Sequence, residues 1–260
     1  MEDLLKEYRA GSSARSLSIK HSIPLCRIYK VLSSNGVKIR NAKEANRKYS
    51  FHDFWKAPYK FSKDQSYLLG WFAADGTISG RCIRFGVCET DKAILTVLQN
   101  IMGHNGPIAT RIQRSCMIGA HEIKGGTFFS FFAVCSVQLV KDFINLGFTR
   151  NKSKDLTWPK WLKRSHERDF VRGFFEGDGS AYRDKKGNLH IGFTGTKEIL
   201  MGVAAFLSTL NIFCTPTIVK GYSFYRLRFG GNLQAQRFLR EIYYSPDVPA
   251  LERKKAFLKL

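Results

Sequence analysis

LLGWFAADG at Leu68–Gly76 returns as VRGFFEGDG at Val171–Gly179, two apolar stretches that each close on Asp-Gly. With the closing Asp-Gly pairs superimposed, Gly70 falls on Gly173, Trp71-Phe72 on Phe174-Phe175, Ala74 on Gly177 and Asp75 on Asp178. The acids are 103 residues apart, which predicts a duplicated half-domain occupying most of the chain. Gly70 and Ala74, like Gly173 and Gly177, stand four residues apart on one helical face, where small residues let two backbones come close. The bulky neighbours Leu69, Trp71, Phe72, Phe174 and Phe175 then bury against other layers. Asp75 and Asp178 would end the two helices side by side, each followed by a glycine suited to a left-handed cap. Carboxylates at helix C-termini oppose the macrodipole and repel one another, and a divalent cation between them would relieve both penalties.

On these residues the sequence resembles the LAGLIDADG homing endonucleases in their single-chain, two-motif form, over about residues 62–260. The resemblance implies an α+β fold of two pseudo-symmetric αββαββα halves joined at the motif helices. It further implies that Asp75 and Asp178 are catalytic metal ligands, with the backbone carbonyls of Ala74 and Gly177 as companions, and that Mg²⁺ is the cofactor, Mn²⁺ being an alternative. One departure stands out: the sixth motif position is Ala73 in the first copy and Glu176 in the second. That position is not a metal ligand, so activity is expected to survive the difference.

The composition fits such a protein. Forty-two Lys and Arg against 21 Asp and Glu give a net charge of +21, which calls for a polyanionic partner. Double-stranded DNA is favoured over a membrane because no apolar run approaches spanning length. MEDLLKEYRAG at the N-terminus carries charges where an export signal needs an apolar stretch, so a cytoplasmic, organellar or phage-infected-cell setting is expected rather than secretion. Six scattered cysteines without a CxxC pair and six histidines without ligand spacing argue against zinc, and buried free thiols without disulfides are the expectation.

Residues 1–40 read as a small all-α module of three short helices resembling a helix-turn-helix domain, with Ser22 as N-cap of the third helix and Pro24 in its first turn. Ile28 and Leu32 would face its core, and Arg27 and Lys30 would face DNA. Residues 41–60 read as a basic linker, 61–158 as the first half and 159–260 as the second. After each motif helix the apolar periodicities read strand, strand, helix, strand, strand, helix. In the first half these are Thr77–Ser79, Arg81–Cys88, Asp91–Met102, Pro107–Ile118, Thr127–Cys135 and Ser136–Leu146. In the second they are Ser180–Asp184, Asn188–Gly195, Lys197–Leu210, Thr215–Lys220, Ser223–Phe229 and Asn232–Tyr243.

A twisted antiparallel sheet packs one face on helices and leaves the other free. Candidate DNA-reading residues on the free faces are Arg81, Arg84, Arg111, Gln113 and Arg114, and in the second half Arg183, Lys185, Asn188, His190, Lys220, Tyr225, Arg226 and Arg228. Arg and Gln suit guanine and adenine edges, whereas Lys mostly supplies phosphate attraction. FTRNKSKDL and LERKKAFLKL occupy matching places, with Lys152 77 residues past Asp75 and Lys254 76 residues past Asp178. The resemblance puts a lysine near this offset beside the catalytic water network, with Lys154 and Lys255 as neighbouring rivals. Together the features suggest a monomeric, metal-dependent DNA endonuclease that cuts both strands, and the resemblance implies that the site is long and asymmetric and that the cut falls across the minor groove, leaving short 3′ overhangs. A non-catalytic DNA-binding regulator and an RNA maturase acting on its own intron RNA are the alternatives.

Overall fold

The computed structural model describes residues 2–9, 12–40, 60–112, 116–118, 121–123 and 125–258, with side chains described up to residue 112 and again from 125. The chain divides into two compact units, Met1–Ser50 and Phe51–Leu260.

The first unit holds α1 (Glu2–Arg9), α2 (Ala14–Lys20) and α3 (Leu25–Ser34). Leu4, Tyr8, Ala14, Leu17, Ile28, Val31 and Leu32 form its own core, so the expected inward face of the third helix is present. Ser13 caps α2 by accepting from the Ser16 amide. Ser22 does not cap α3. It sits in the turn with φ of 53°, and Pro24 is the residue that precedes the helix. The serine is spent on a left-handed turn residue, while the fixed φ of Pro24 prepares the helix start.

In the second unit, α4 (Lys63–Asp75) begins at a reciprocal capping box between Ser62 and Gln65. It leads to β1 (Thr77–Ser79), β2 (Cys82–Cys88), α5 (Ala93–Met102), β3 (Ala109–Ile112), β4 (Cys116–Ile118), β5 (His121–Ile123), β6 (Phe128–Cys135), α6 (Val137–Asn145) and the short α7 (Lys152–Asp155). The second half runs α8 (Glu167–Asp178), β7 (Ser180–Arg183), β8 (Leu189–Gly195), α9 (Lys197–Thr209), β9 (Thr217–Ile218), β10 (Tyr225–Gly230), α10 (Asn232–Ile242) and the short α11 (Glu252–Lys255). The sheets have the same order, β1-β2-β6-β3 and β7-β8-β10-β9, and all their pairs are antiparallel. The duplicated architecture expected from the repeated phrase is thus the architecture observed. One expected strand differs: Cys116–Ile118 does not prolong β3 but pairs with His121–Ile123 in a separate hairpin.

One hydrophobic cluster runs through both halves. Its centre is the pairing of α4 with α8. A Cβ on Gly70 would lie 2.1 Å from the Phe170 carbonyl oxygen, and one on Gly173 would lie 2.1 Å from that of Tyr67. The small-residue face is therefore a backbone-to-backbone contact. Gly76 and Gly179 are not left-handed caps; their φ values are −66° and −78° in extended backbone. They are glycines for lack of space, because a Cβ would meet the ring of Phe72 at 2.2 Å or that of Phe175 at 2.3 Å.

The cysteines also depart from expectation. Cys82 and Cys135, opposite one another on β2 and β6, form a disulfide. Cys26 and Cys88 are free but exposed, and Cys214 is half-buried.

Candidate functional site at the paired helix ends

Because α4 and α8 touch along their glycines, both bring their last residues to one place. Asp75 and Asp178 reach solvent there, with protein atoms crowding them from beneath. Burial, followed by the charge of Asp75, lifts the Asp178 carboxyl to about 6 against the pull of Lys152 and Lys254. Burial likewise raises Asp75, against Lys152, Lys254 and Arg253. The charge of Asp75 thus acts on Asp178 in the sense anticipated for carboxylates at adjacent helix ends.

Two short helices deliver the lysines. The Lys152 ammonium on α7 donates to the carbonyls of Ala73, at 2.9 Å, and Ala74. The Lys254 ammonium on α11 donates to Phe175 at 2.6 Å, Glu176 at 2.8 Å, Gly177 at 3.3 Å and Gly179 at 2.6 Å. Each lysine thus caps the C-terminus of its own motif helix, where free carbonyls and the negative dipole end favour a cation. Burial and then the neighbouring Arg253 bring Lys254 down to about 8, and burial lowers Lys152 against the pull of both acids. Of the rival lysines, Lys154 is exposed and Lys255 donates to the Pro246 carbonyl, away from the acids. The Ala74 and Gly177 carbonyls, expected as metal companions, accept from these ammonium groups. A cavity of about 240 Å³ opens beside Asp178, lined by Ala73, Ala74, Lys152, Phe174 and Thr194.

The raised Asp178 carboxyl favours the folded protein in mild acid. A carboxyl whose folded value lies above its unfolded one contributes stability that is complete below the unfolded value and is lost as pH rises through the folded one. Without divalent ions, the denaturation midpoint should therefore rise as pH falls from 7 towards 5. Asp178→Asn should flatten that slope, as urea titrations at the two pH values would reveal; an unchanged slope would reject the assignment.

Register fixes the sheet faces. In the first sheet Ile83, Phe85 and Val87 on β2, with Phe132 and Val134 on β6, face the helices. The other face holds Arg84, Phe129 and Phe131, with the Arg84 guanidinium 4.8 Å from the Phe131 ring centroid. Arg111 joins them from β3, 5.2 Å from the same ring. Arg81 lies in the exposed turn between β1 and β2, while Gln113 and Arg114 lie outside the described residues.

In the second sheet His190, Arg226 and Arg228 lie on the free face, beside Tyr182. Tyr182 stacks on His190 with ring centroids 5.1 Å apart. Asp184 accepts from the Asn188 amide group at 3.1 Å and lies 3.0 Å from His190 Nε2, tying both residues to the hairpin that carries Lys185. Lys220 is exposed in the β9–β10 turn. Two expected free-face residues belong elsewhere. Tyr225 shares the parity of Leu227 and Phe229 and packs against the core. Arg183 shares the helix-facing parity of Ala181 and bonds the Gly187 carbonyl and the Asn232 side chain. Side-chain alternation has a period of two, so one position decides the face. In the first unit Arg27 and Lys30 are exposed on α3, opposite its core residues.

Residues 165–243, which contain the second motif helix and both sheet hairpins after it, match the family model described as LAGLIDADG-like domain. This stretch is a LAGLIDADG-like domain. The fold is the LAGLIDADG fold: the crystal structure of the meganuclease I-SmaMI bound to uncleaveable DNA is similar at a TM-score of 0.50. That likeness covers 76% of this chain and 87% of that one at 12% identity, which establishes the fold. The LAGLIDADG homing endonuclease I-LtrWI, solved bound to target DNA, is similar at a TM-score of 0.48 and 11% identity, over 75% of this chain and 88% of that one. In sequence, the chain is 23% identical over 201 residues to the DNA-directed RNA polymerase subunit Rpo1C of Methanocaldococcus jannaschii. The match takes in 77% of this chain but spans only 21% of that relative's length. No helix among the described residues is long and apolar enough to cross a membrane.

Sequence reasoning missed Glu176 and Arg172 as site-building residues. Arg172 is fully buried beside Asp169, donating to it at 2.8 Å and to the Ile242 carbonyl at 3.1 Å, with its guanidinium 4.7 Å from the Tyr67 ring centroid. A charged residue within an apolar phrase was the available signal, since Arg is almost never fully buried unless paired.

Proposed function

We propose that the protein is a site-specific DNA endonuclease that hydrolyses one phosphodiester in each strand of a double-stranded target, and that one chain suffices because it carries both motif acids. The observation that carries this reading is the convergence of Asp75 and Asp178 at two touching helix ends, each beside a lysine anchored to its own helix.

The donor set fits Mg²⁺, or Mn²⁺ in its place. Mg²⁺ accepts hard oxygen ligands and is commonly held by one or two carboxylates together with substrate phosphate and water. Asp75 and Asp178 supply two such carboxylates, both held above the ordinary carboxylate range chiefly by burial. When bound, the metal supplies Lewis-acid polarisation of the phosphate and activation of water. Lys152 and Lys254 place ammonium groups next to the acids, where charge develops on the phosphate oxygens. With its value near 8, Lys254 is also able to exchange a proton close to neutral pH.

DNA is drawn in by the net charge of +21. Arg84, Arg111, Arg226 and Arg228 are the candidate base-edge readers on the free sheet faces, and Arg27 and Lys30 on α3 would extend the footprint. A long asymmetric site and short 3′ overhangs follow from the same reading.

The test is incubation of a supercoiled plasmid library carrying random genomic inserts with the protein and Mg²⁺, followed by sequencing of the linear ends. A recurrent site with staggered ends is expected. Retention of particular inserts without any cutting would replace this reading with a DNA-binding regulator.

A further inference from the structure

The sixth position of the motif separates the two halves. Ala73 has no polar side-chain atom, whereas the Glu176 carboxylate is 1% exposed and fully engaged. One oxygen accepts from the Tyr67 hydroxyl and, at 3.3 Å, from the Trp71 indole of the opposite motif helix. Its other oxygen accepts the Leu251 backbone amide at 2.9 Å.

Leu251 is the residue from which α11 starts. Its carbonyl accepts the amides of Lys254 at 2.8 Å and Lys255 at 3.0 Å, closing the single turn that presents the Lys254 side chain. A four-residue helix cannot hold itself in water, so its orientation depends on outside attachment. Glu176 supplies one attachment through Leu251. Arg253 supplies another through a two-point ion pair with Asp91, at 2.8–3.0 Å. The result is a Lys254 that is 3% exposed and bonded to four carbonyls, against a half-buried Lys152 bonded to two.

From this arrangement we infer that Glu176 is a positioning residue for Lys254, and that it makes the two cutting centres unequal by fixing the lysine of the second half through the Leu251 amide. The inequality of cutting rests on the nuclease reading above; the positioning does not. Lys254 bonds only carbonyls at the end of α8 and Lys152 only carbonyls at the end of α4, so loosening α11 frees the lysine of one helix end and leaves that of the other in place. The Tyr67 and Trp71 bonds satisfy one carboxylate oxygen and leave the other for Leu251.

The test compares Glu176→Ala, Glu176→Gln and Tyr67→Phe with the parent. Amide hydrogen exchange of the full chain is expected to be at least about tenfold faster over residues 251–255 in Glu176→Ala, with residues 152–155 unchanged. Glu176→Gln, whose amide oxygen can still accept from Leu251, restores most of the protection. Tyr67→Phe keeps the Leu251 bond and keeps the exchange pattern, which separates tethering from loss of a buried polar network. With strand-specific labels on a cleavable plasmid, Glu176→Ala cuts one strand about tenfold more slowly and the other within about twofold, so nicked circles accumulate. Unchanged exchange over 251–255, or equal slowing over both lysine segments, overturns the positioning role. Equal slowing of both strands overturns the inequality of the centres. A parent that cuts neither strand overturns the nuclease reading, while hydrogen exchange still decides the role of Glu176.

Discussion

Replacing either Asp75 or Asp178 by Asn is expected to reduce double-strand cleavage on the order of a thousandfold, while DNA affinity at fixed salt stays within about threefold. Asn keeps nearly the same shape, so the α4–α8 contact has no reason to change. On the proposed reading it removes one of two negative oxygen ligands, and with it a large part of the site's hold on a divalent cation. A thousandfold corresponds to about 4 kcal/mol at the barrier, within the several kcal/mol of charge stabilisation that a metal supplies. On the same reading affinity rests on cations spread over the sheet faces and α3, which a single neutralised carboxylate does not weaken. Measurement of linear, nicked and supercoiled plasmid over time, beside binding in Ca²⁺, checks both halves of the expectation. Full cutting by both variants would remove the acids from the chemistry altogether.

The two substitutions also differ in their indirect effect. Asp75 is one of the causes that raise Asp178, so Asp75→Asn should bring the remaining carboxyl down towards its ordinary value. Carboxyl titration of Asp178 by NMR in the metal-free protein would show it.

How much of this could be read from the sequence depended on whether the relevant contact was local or long-range. The repeated Gly-x-x-x-small spacing disclosed the helix interface because a helix converts sequence spacing directly into a face. The offset of Lys152 and Lys254 from their acids worked for the same reason, since a duplicated half preserves the path between them. The disulfide did not show, because Cys82 and Cys135 are 53 residues apart and meet only through the β2–β6 register. Tyr225 was misplaced by the same blindness to register: a strand's parity depends on which neighbour it pairs with. At the sixth motif position Ala73 looked like a harmless departure and Glu176 like the ordinary acid, and the partners of Glu176 come from two distant places, Tyr67 and Trp71 on α4 and Leu251 before α11. The closing glycines were legible as glycines but for the wrong reason, since the crowding aromatic ring stands four residues back on the helix.

The second large effect is structural. Gly173→Val is expected to cost more than about 3 kcal/mol and to leave little folded protein, the upper range for overpacking a core. At Gly173 even the first added carbon would lie 2.1 Å from the Tyr67 carbonyl oxygen and 2.8 Å from the Trp71 amide nitrogen. Those atoms belong to a helix backbone and cannot swing aside as a side chain would. Gly70→Val meets the mirror-image obstacle, with the Phe170 carbonyl oxygen at 2.1 Å. The gain of roughly 1 kcal/mol from replacing Gly within a helix is too small to offset this. Gly177→Ala should be milder, because its nearest obstacle is the Ala74 methyl at 2.3 Å rather than backbone. Met201→Ala, at a half-exposed position on α9, should change stability by no more than about 0.5 kcal/mol and serves as the control. Denaturant titration ranks the four variants, and a Gly173→Val protein as stable as the parent would mean that α4 and α8 do not touch as described. The ranking also bears on chemistry, because the glycine contact holds Asp75 beside Asp178. Any folded Gly177→Ala protein should therefore lose cleavage out of proportion to its lost stability, as the added methyl pushes apart the two helix ends that carry the acids.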